Sequence, residues 1–137
     1  MSANILGFIQ FDDNSPIDQA AFTNDPSWWS FEGDDRLWGC KDYGFIAAIS
    51  GIRNESGIPP FIALRGCPNN PPAALKEYHD DPFVGYLTRS EILNCLTHHH
   101  LSQEALHHSI QIVLAAMQIL ADRYGDERVR FVFAIID

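Results

Sequence analysis

Apolar positions along the chain fall into two kinds of run. Ile5–Phe11 (ILGFIQF) and Val129–Ile136 (VRFVFAII) are short, rich in β-branched and aromatic residues and nearly unbroken by polar ones. Runs of that length and make-up predict strands buried on both faces, with the second one central in its sheet. Leu106, Ile110, Val113, Leu114, Met117, Leu120, Ala121 and Tyr124 instead recur every three or four residues. That spacing predicts a long helix with one apolar stripe, capped by Ser102 and stopped by Gly125.

The middle of the chain is more broken. Asp42 can cap a helix running to about Ile52, with Phe45, Ile46, Ile49 and Ile52 on one face. Residues 53–72 read as irregular, with a candidate strand at Pro60–Leu64. Pro71 and Pro72 suit the first turn of a short helix through Tyr78, and Val84–Leu87 is a candidate edge strand. Thr88-Arg89-Ser90-Glu91 has the form of a capping box and opens a helix to about Leu96. The pattern predicts one α+β domain over 1–137: a small, mostly antiparallel sheet containing both terminal strands, with about three helices packed on it, the longest near 102–124. Residues 12–41 read as a long aromatic loop holding Pro16, Pro26, Trp28, Trp29, Phe31 and Trp38; loops of that length in compact domains usually carry function.

Composition narrows the class. A chain of 137 residues, 46% hydrophobic and 20% charged, has enough apolar side chains for a real core. Its net charge of −9 argues against general nucleic-acid binding, which needs a basic surface. It leaves room for a local arginine pocket, and equally for docking onto a basic protein partner. Cys40, Cys67 and Cys95 are odd in number and form no C-x-x-C, so reduced thiols and a cytoplasmic setting are expected. The first apolar run has no basic lead and ends at Asp12 and Asp13, unlike a signal peptide, and no run is long enough to span a membrane. The chain shows no internal repeat.

Catalytic signatures are missing: there is no H-E-x-x-H, G-x-S-x-G, P-loop or dinucleotide fingerprint. His98, His99, His100, His107 and His108 crowd together, but adjacent imidazoles on a helix diverge, so they read as polar surface and no metal or cofactor is expected. The acidic pairs Asp12/Asp13, Asp34/Asp35 and Asp80/Asp81 read as solvated loop charges, and Cys67 as a small buried thiol. Arg53 and Arg65 are different. Each ends an apolar run and enters a Gly- or Pro-containing turn, which holds a guanidinium fork in place for a carboxylate or phosphate. With Lys41 as a further cation, Tyr43, Trp28, Trp29, Trp38 and Tyr86 as stacking faces, and His79 as a nearby imidazole, this set suits a nucleotide-derived ligand. The competing reading gives the tryptophans to the core and the arginines to bracing loops.

Tyr43 to Arg53, Pro59, Arg65-Gly66-Cys67-Pro68, Leu87-Thr88 and Val129-Arg130-Phe131-Val132-Phe133 occur in that order. On these motifs the chain resembles, over nearly its whole length, a family of small bacteriophage and prophage proteins. That family often opens Met-Gly-Cys-Asp-Ile-His, carries an Arg-Gly-Leu-Pro motif and ends Val-Arg-Leu-Val-Phe-Trp-Phe-Asp. The resemblance implies a phage origin, hence the cytoplasm of an infected bacterium, and brings no established activity. Ala3, Asn4 and Leu6 stand where the family has Cys, Asp and His, and Phe83-Val84-Gly85-Tyr86 replaces its polar His-Ser-x-Ser-Trp segment. Arginines and aromatics without those groups point to binding without catalysis. The leading expectation is a counter-defence protein that sequesters a nucleotide-derived anion. The alternative is an acidic inhibitor of a host nucleic-acid-handling or defence complex, and a phosphate-ester hydrolase or transferase comes third. A homo-oligomer is compatible with each.

Overall fold

A computed structural model describes residues 4–11, 29–30 and 42–136. Four strands form one antiparallel sheet in the order β2-β1-β4-β3: β1 is Asn4–Phe11, β2 Trp29–Ser30, β3 Val84–Leu87 and β4 Val129–Ile136. The two terminal strands pair along their full length, from Asn4 opposite Ile136 to Phe11 opposite Val129. β4 is central and β3 is an edge, and every side chain of β4 up to Ile135 is buried, as its unbroken apolar run requires. β2 lies within the stretch read as loop, opposite Gln10 and Phe11; the rest of 12–41 lies outside the described residues.

Cross-strand partners share a face. Gln10, Arg130, Val132 and Tyr86 therefore point to one side, and Gly7, Phe131, Phe133 and Gly85 to the other. On that second side two glycines make room for two rings. A Cβ on Gly7 would lie 2.2 Å from Cζ of Phe131, and one on Gly85 would lie 2.9 Å from Cζ of Phe133. The rings stack on each other with centroids 5.7 Å apart. Burying each phenylalanine contributes roughly 1.5–3 kcal/mol, far more than a strand glycine forfeits.

Among the described residues three α-helices complete the core: α1 (Tyr43–Ser50), α2 (Arg89–His98) and α3 (His108–Tyr124). α1 is capped by Asp42, whose Oδ1 accepts from the Phe45 amide at 3.1 Å. α2 opens with the expected capping box between Thr88 and Glu91. α3 buries Ile110, Val113, Leu114 and Met117, and its last turn stacks Tyr124 on Phe11 of β1.

Local departures from the sequence reading have physical causes. The long helix starts at His108, not after Ser102. Ser102 opens one 3₁₀ turn (Gln103–Ala105), and Leu106 is then extended and buried while the His107 amide is claimed by Oδ2 of Asp42 at 2.8 Å. Burial of Leu106 and that tie between helix starts override a continuous helix. Pro60–Leu64 forms no strand. Two prolines at 59 and 60 remove donors, and the segment's neighbour Gly66 makes a backbone bond to Val84 at 3.0 Å. Pro72 does lead into a short helix, of 3₁₀ type, over Ala73–Tyr78. No helix among the described residues is long and apolar enough to cross a membrane.

Candidate functional site

Arg53 and Arg65 line separate clefts. The first, of about 240 Å³, runs beside α1 between Tyr43 and the turn that follows the helix, with His99 and Leu101 from the end of α2 on its other side. The chain reverses there through left-handed backbone at Gly51 (φ 78°) and Arg53 (φ 57°). α1 is only about 12 Å long at 1.5 Å per residue. The reversal folds Arg53 back along it, and its guanidinium reaches 5.9 Å from the ring centroid of Tyr43 at the opposite end. A non-glycine residue in this conformation costs on the order of 1–2 kcal/mol, strain of the kind that clusters at binding sites.

His99 is the floor of this cleft. It caps the end of α2, with its amide donated to the Cys95 and Leu96 carbonyls, and it is 8% exposed. Its Nε2 has no hydrogen-bond partner. Burial holds its pKa below the ordinary histidine value, and the neighbouring His98 and His100 push the same way; together they outweigh the Pro59 carbonyl, which favours the proton, so the ring is neutral at pH 7. His98 turns outward to the Pro59 carbonyl at 3.0 Å, and His100 sits in left-handed backbone at φ 58°.

The second cleft, of about 440 Å³, contains Arg65, Tyr86, Glu91, Asp126 and Arg130. Two guanidiniums flank one ring: Arg65 lies 5.3 Å and Arg130 5.7 Å from the Tyr86 centroid. Here the polar groups serve the fold. Arg65 forks onto both oxygens of Glu91 and donates to the Tyr86 carbonyl at 3.2 Å. Burial alone would raise the pKa of Glu91, but Arg65 and the Thr88 backbone outweigh it and hold the carboxyl below its usual range. Asp126 accepts from the Ser90 amide at 3.3 Å. Arg130 is 1% exposed, bonds Gln10 and the carbonyls of Asn69 and Asn70, and is pushed by burial down to about 10.

Among the remaining sequence candidates, His79 is exposed against Asp80 at 3.1 Å and lines neither cleft. Trp29 sits in β2 opposite Phe11. Lys41, Trp28 and Trp38 lie outside the described residues. No three His, Cys, Asp or Glu side chains among the described residues are gathered to hold a metal. Burial raises the pKa of Cys67 and Cys95, so both stay thiols and poor nucleophiles at neutral pH.

The sequence reading gathered Arg53, Arg65, Tyr43 and Tyr86 into one site; the structure divides them between two clefts, Arg53 with Tyr43 and Arg65 with Tyr86, and adds His99 and Arg130, which that reading did not place in a cleft. The histidine run hid His99, because nothing in H-H-H says which imidazole turns inward. Arg130 had a readable signal: it and Gln10 are the polar breaks in two apolar strands, and they meet in the antiparallel register. No family model, curated protein or solved structure matches the chain.

Proposed function

We propose that the protein is a phage accessory protein that binds and sequesters a nucleotide-derived anion without transforming it, using the cleft of Arg53, Tyr43 and His99. One observation carries the choice of cleft. The Arg53 cleft keeps a buried imidazole nitrogen of His99 without a hydrogen-bond partner among the described residues, beside an arginine in left-handed backbone. A native protein seldom leaves a buried polar atom unsatisfied without a use for it.

The chemistry follows from the residues. The guanidinium supplies a bidentate donor for a phosphate, and the Tyr43 ring, 41% exposed, supplies a face for a base. The cleft is at the low end of ligand-site volumes, which suits one nucleotide unit or one end of a larger molecule. The phage setting comes from the resemblance carried by the Tyr43–Arg53 block and the Arg65–Pro68 motif.

A thermal-shift screen of nucleoside monophosphates, cyclic mono- and dinucleotides and ADP-ribose derivatives tests this reading. One class should stabilise the wild type, and Arg53→Lys, folded but with its fork removed, should respond at least about tenfold more weakly, the loss of a charge-assisted hydrogen bond. No response in any class, together with capture of a host defence complex, would replace ligand sequestration by the acidic-inhibitor reading that the charge of −9 favours.

A further inference from the structure

We infer that His99 takes up a proton together with the ligand, so that the cleft binds an oxyanion and a proton as one coupled event. This rests on the ligand-binding reading above and adds to it the residue that sets both the pH response and the preference for an oxyanion. In the free protein, neither protonation state of Nε2 is satisfied. As a lone pair it lacks a donor, and as an N–H it lacks an acceptor. The cheaper of the two is the neutral lone pair, because an unpaired charge in a buried position costs far more than an unpaired neutral atom.

The cations around the ring reinforce that state, against the Pro59 carbonyl, which favours the proton. Arg53 faces the cleft from the turn after α1, and His98 and His100 flank the ring in sequence, His98 with its centroid 5.5 Å away. Tyr43 of α1 presents its ring to the cleft, and among the described residues Glu55 is the acidic residue on the lining. An oxyanion lodged against Arg53 changes both terms at once. It brings a negative charge beside the imidazole and an acceptor for Nε2–H. A proton then moves from solvent onto Nε2, the N–H bonds to the anionic oxygen, and no other bond forms or breaks.

Nε2 is shut off from water in the free chain, so ligand entry has to shift the wall enough to admit an oxygen. That wall is surface rather than core: Tyr43, Arg53, Glu55 and Ser56 are all exposed. Linkage is reciprocal, so if the anion raises the proton affinity of His99, the proton raises the affinity for the anion by the same factor. Below the ligand-bound pKa and above the free one, affinity rises as pH falls, by about tenfold per pH unit.

The test uses a ligand of constant charge. A phosphate monoester changes charge near its second pKa of about 6 and would confuse the reading, so the probe is 3′,5′-cyclic AMP, a phosphodiester, with inorganic sulfate as a bare oxyanion. Calorimetric titrations from about pH 8 to about pH 5 bracket the ordinary histidine value of about 6.5. Expected are affinity that climbs on acidification, a binding heat that varies with the ionisation heat of the buffer, and loss of both in His99→Gln. Should that variant not fold, ring NMR of wild-type His99 with and without cyclic AMP gives the same answer, the probe raising its pKa. Binding that is flat with pH, or a His99 pKa unmoved by the probe, overturns proton coupling and leaves the proposed function standing. No response to any class of the nucleotide screen, at any pH, overturns both.

Discussion

Replacing Arg65 by lysine and Arg53 by lysine should give opposite results, and the contrast tests the division of labour between the two clefts. In the wild type Arg65 makes three donations: two to the Glu91 carboxylate and one to the Tyr86 carbonyl. A lysine keeps the charge but can satisfy one of these well, so two are lost or weakened. Charge-assisted hydrogen bonds contribute about 1.5–3 kcal/mol where water is excluded. Here the side chains are 32% and 25% exposed, which screens the pair and brings the expected loss for Arg65→Lys down to about 1–2 kcal/mol. For a chain of 137 residues unfolding near 2.1 cal/mol/K per residue, each kcal/mol moves Tm by roughly 3–4 °C. Arg65→Lys should therefore melt about 3–8 °C early. Arg53→Lys should change Tm by much less, since the residue is exposed and a lysine keeps a cation near the Tyr43 ring.

Acid titration adds an independent arm. The folded-state pKa of Glu91 lies below its usual value, so its ion pair stabilises the fold above the unfolded pKa of about 4.5, and that contribution is lost as pH falls through the folded value. The Tm gap between wild type and Arg65→Lys should be constant at neutral pH and close in that acid range. Scanning calorimetry at several pH values reads all of this. An Arg65→Lys protein with wild-type Tm, or an Arg53→Lys protein that loses as much as Arg65→Lys, would refute the assignment of Arg65 to the fold and Arg53 to the ligand.

Other parts of the fold can be tested as directly. Gly7→Ala should cost about 1–3 kcal/mol because its Cβ would meet the Phe131 ring, and Phe131→Leu in the same chain should recover part of the loss in urea unfolding; an unchanged midpoint for Gly7→Ala would contradict the packing of that face. Asp42→Ala should cost about 1–2 kcal/mol by removing a helix cap and the bond to the His107 amide. Asp42→Asn should restore only the cap, and equal stability of all three proteins would show that the two helix starts are not tied.

The parts of this fold that were legible in the sequence are those where one physical term dominates. Ile5–Phe11 and Val129–Ile136 offered no polar face, so burial on both sides was the one arrangement open to them, and they pair along their whole length. The Thr88–Glu91 cap was legible because both its partners lie within one turn. What could not be read depended on contacts far apart in the chain. The start of α3 is set by Asp42, sixty-five residues away from His107, and local pattern alone favoured Ser102. The fate of Arg65 was decided by Glu91, which looked like a capping residue and is also the arginine's partner. Nothing in the local sequence of either arginine tells which carboxylate, if any, lies across from it in the fold.

A chain of net charge −9 is a poor host for an anion, because its long-range field repels the ligand that the cleft would recognise. Screening within about 8 Å at physiological salt weakens that repulsion at a distance, leaving local charge to decide affinity. A second permanent cation beside Arg53 would supply it, but would repel the guanidinium before the ligand arrives. A histidine avoids that cost. His99 is neutral while the cleft is empty, which keeps the end of α2 packed, and becomes a cation only when the oxyanion arrives to share the proton. The same placement explains why the neighbouring backbone is strained at Arg53 and His100: both left-handed residues turn the chain so that one guanidinium and one inward imidazole converge on a common space. Replacing either by a less constrained geometry would relieve about 1 kcal/mol locally and separate the two groups whose joint charge the ligand requires.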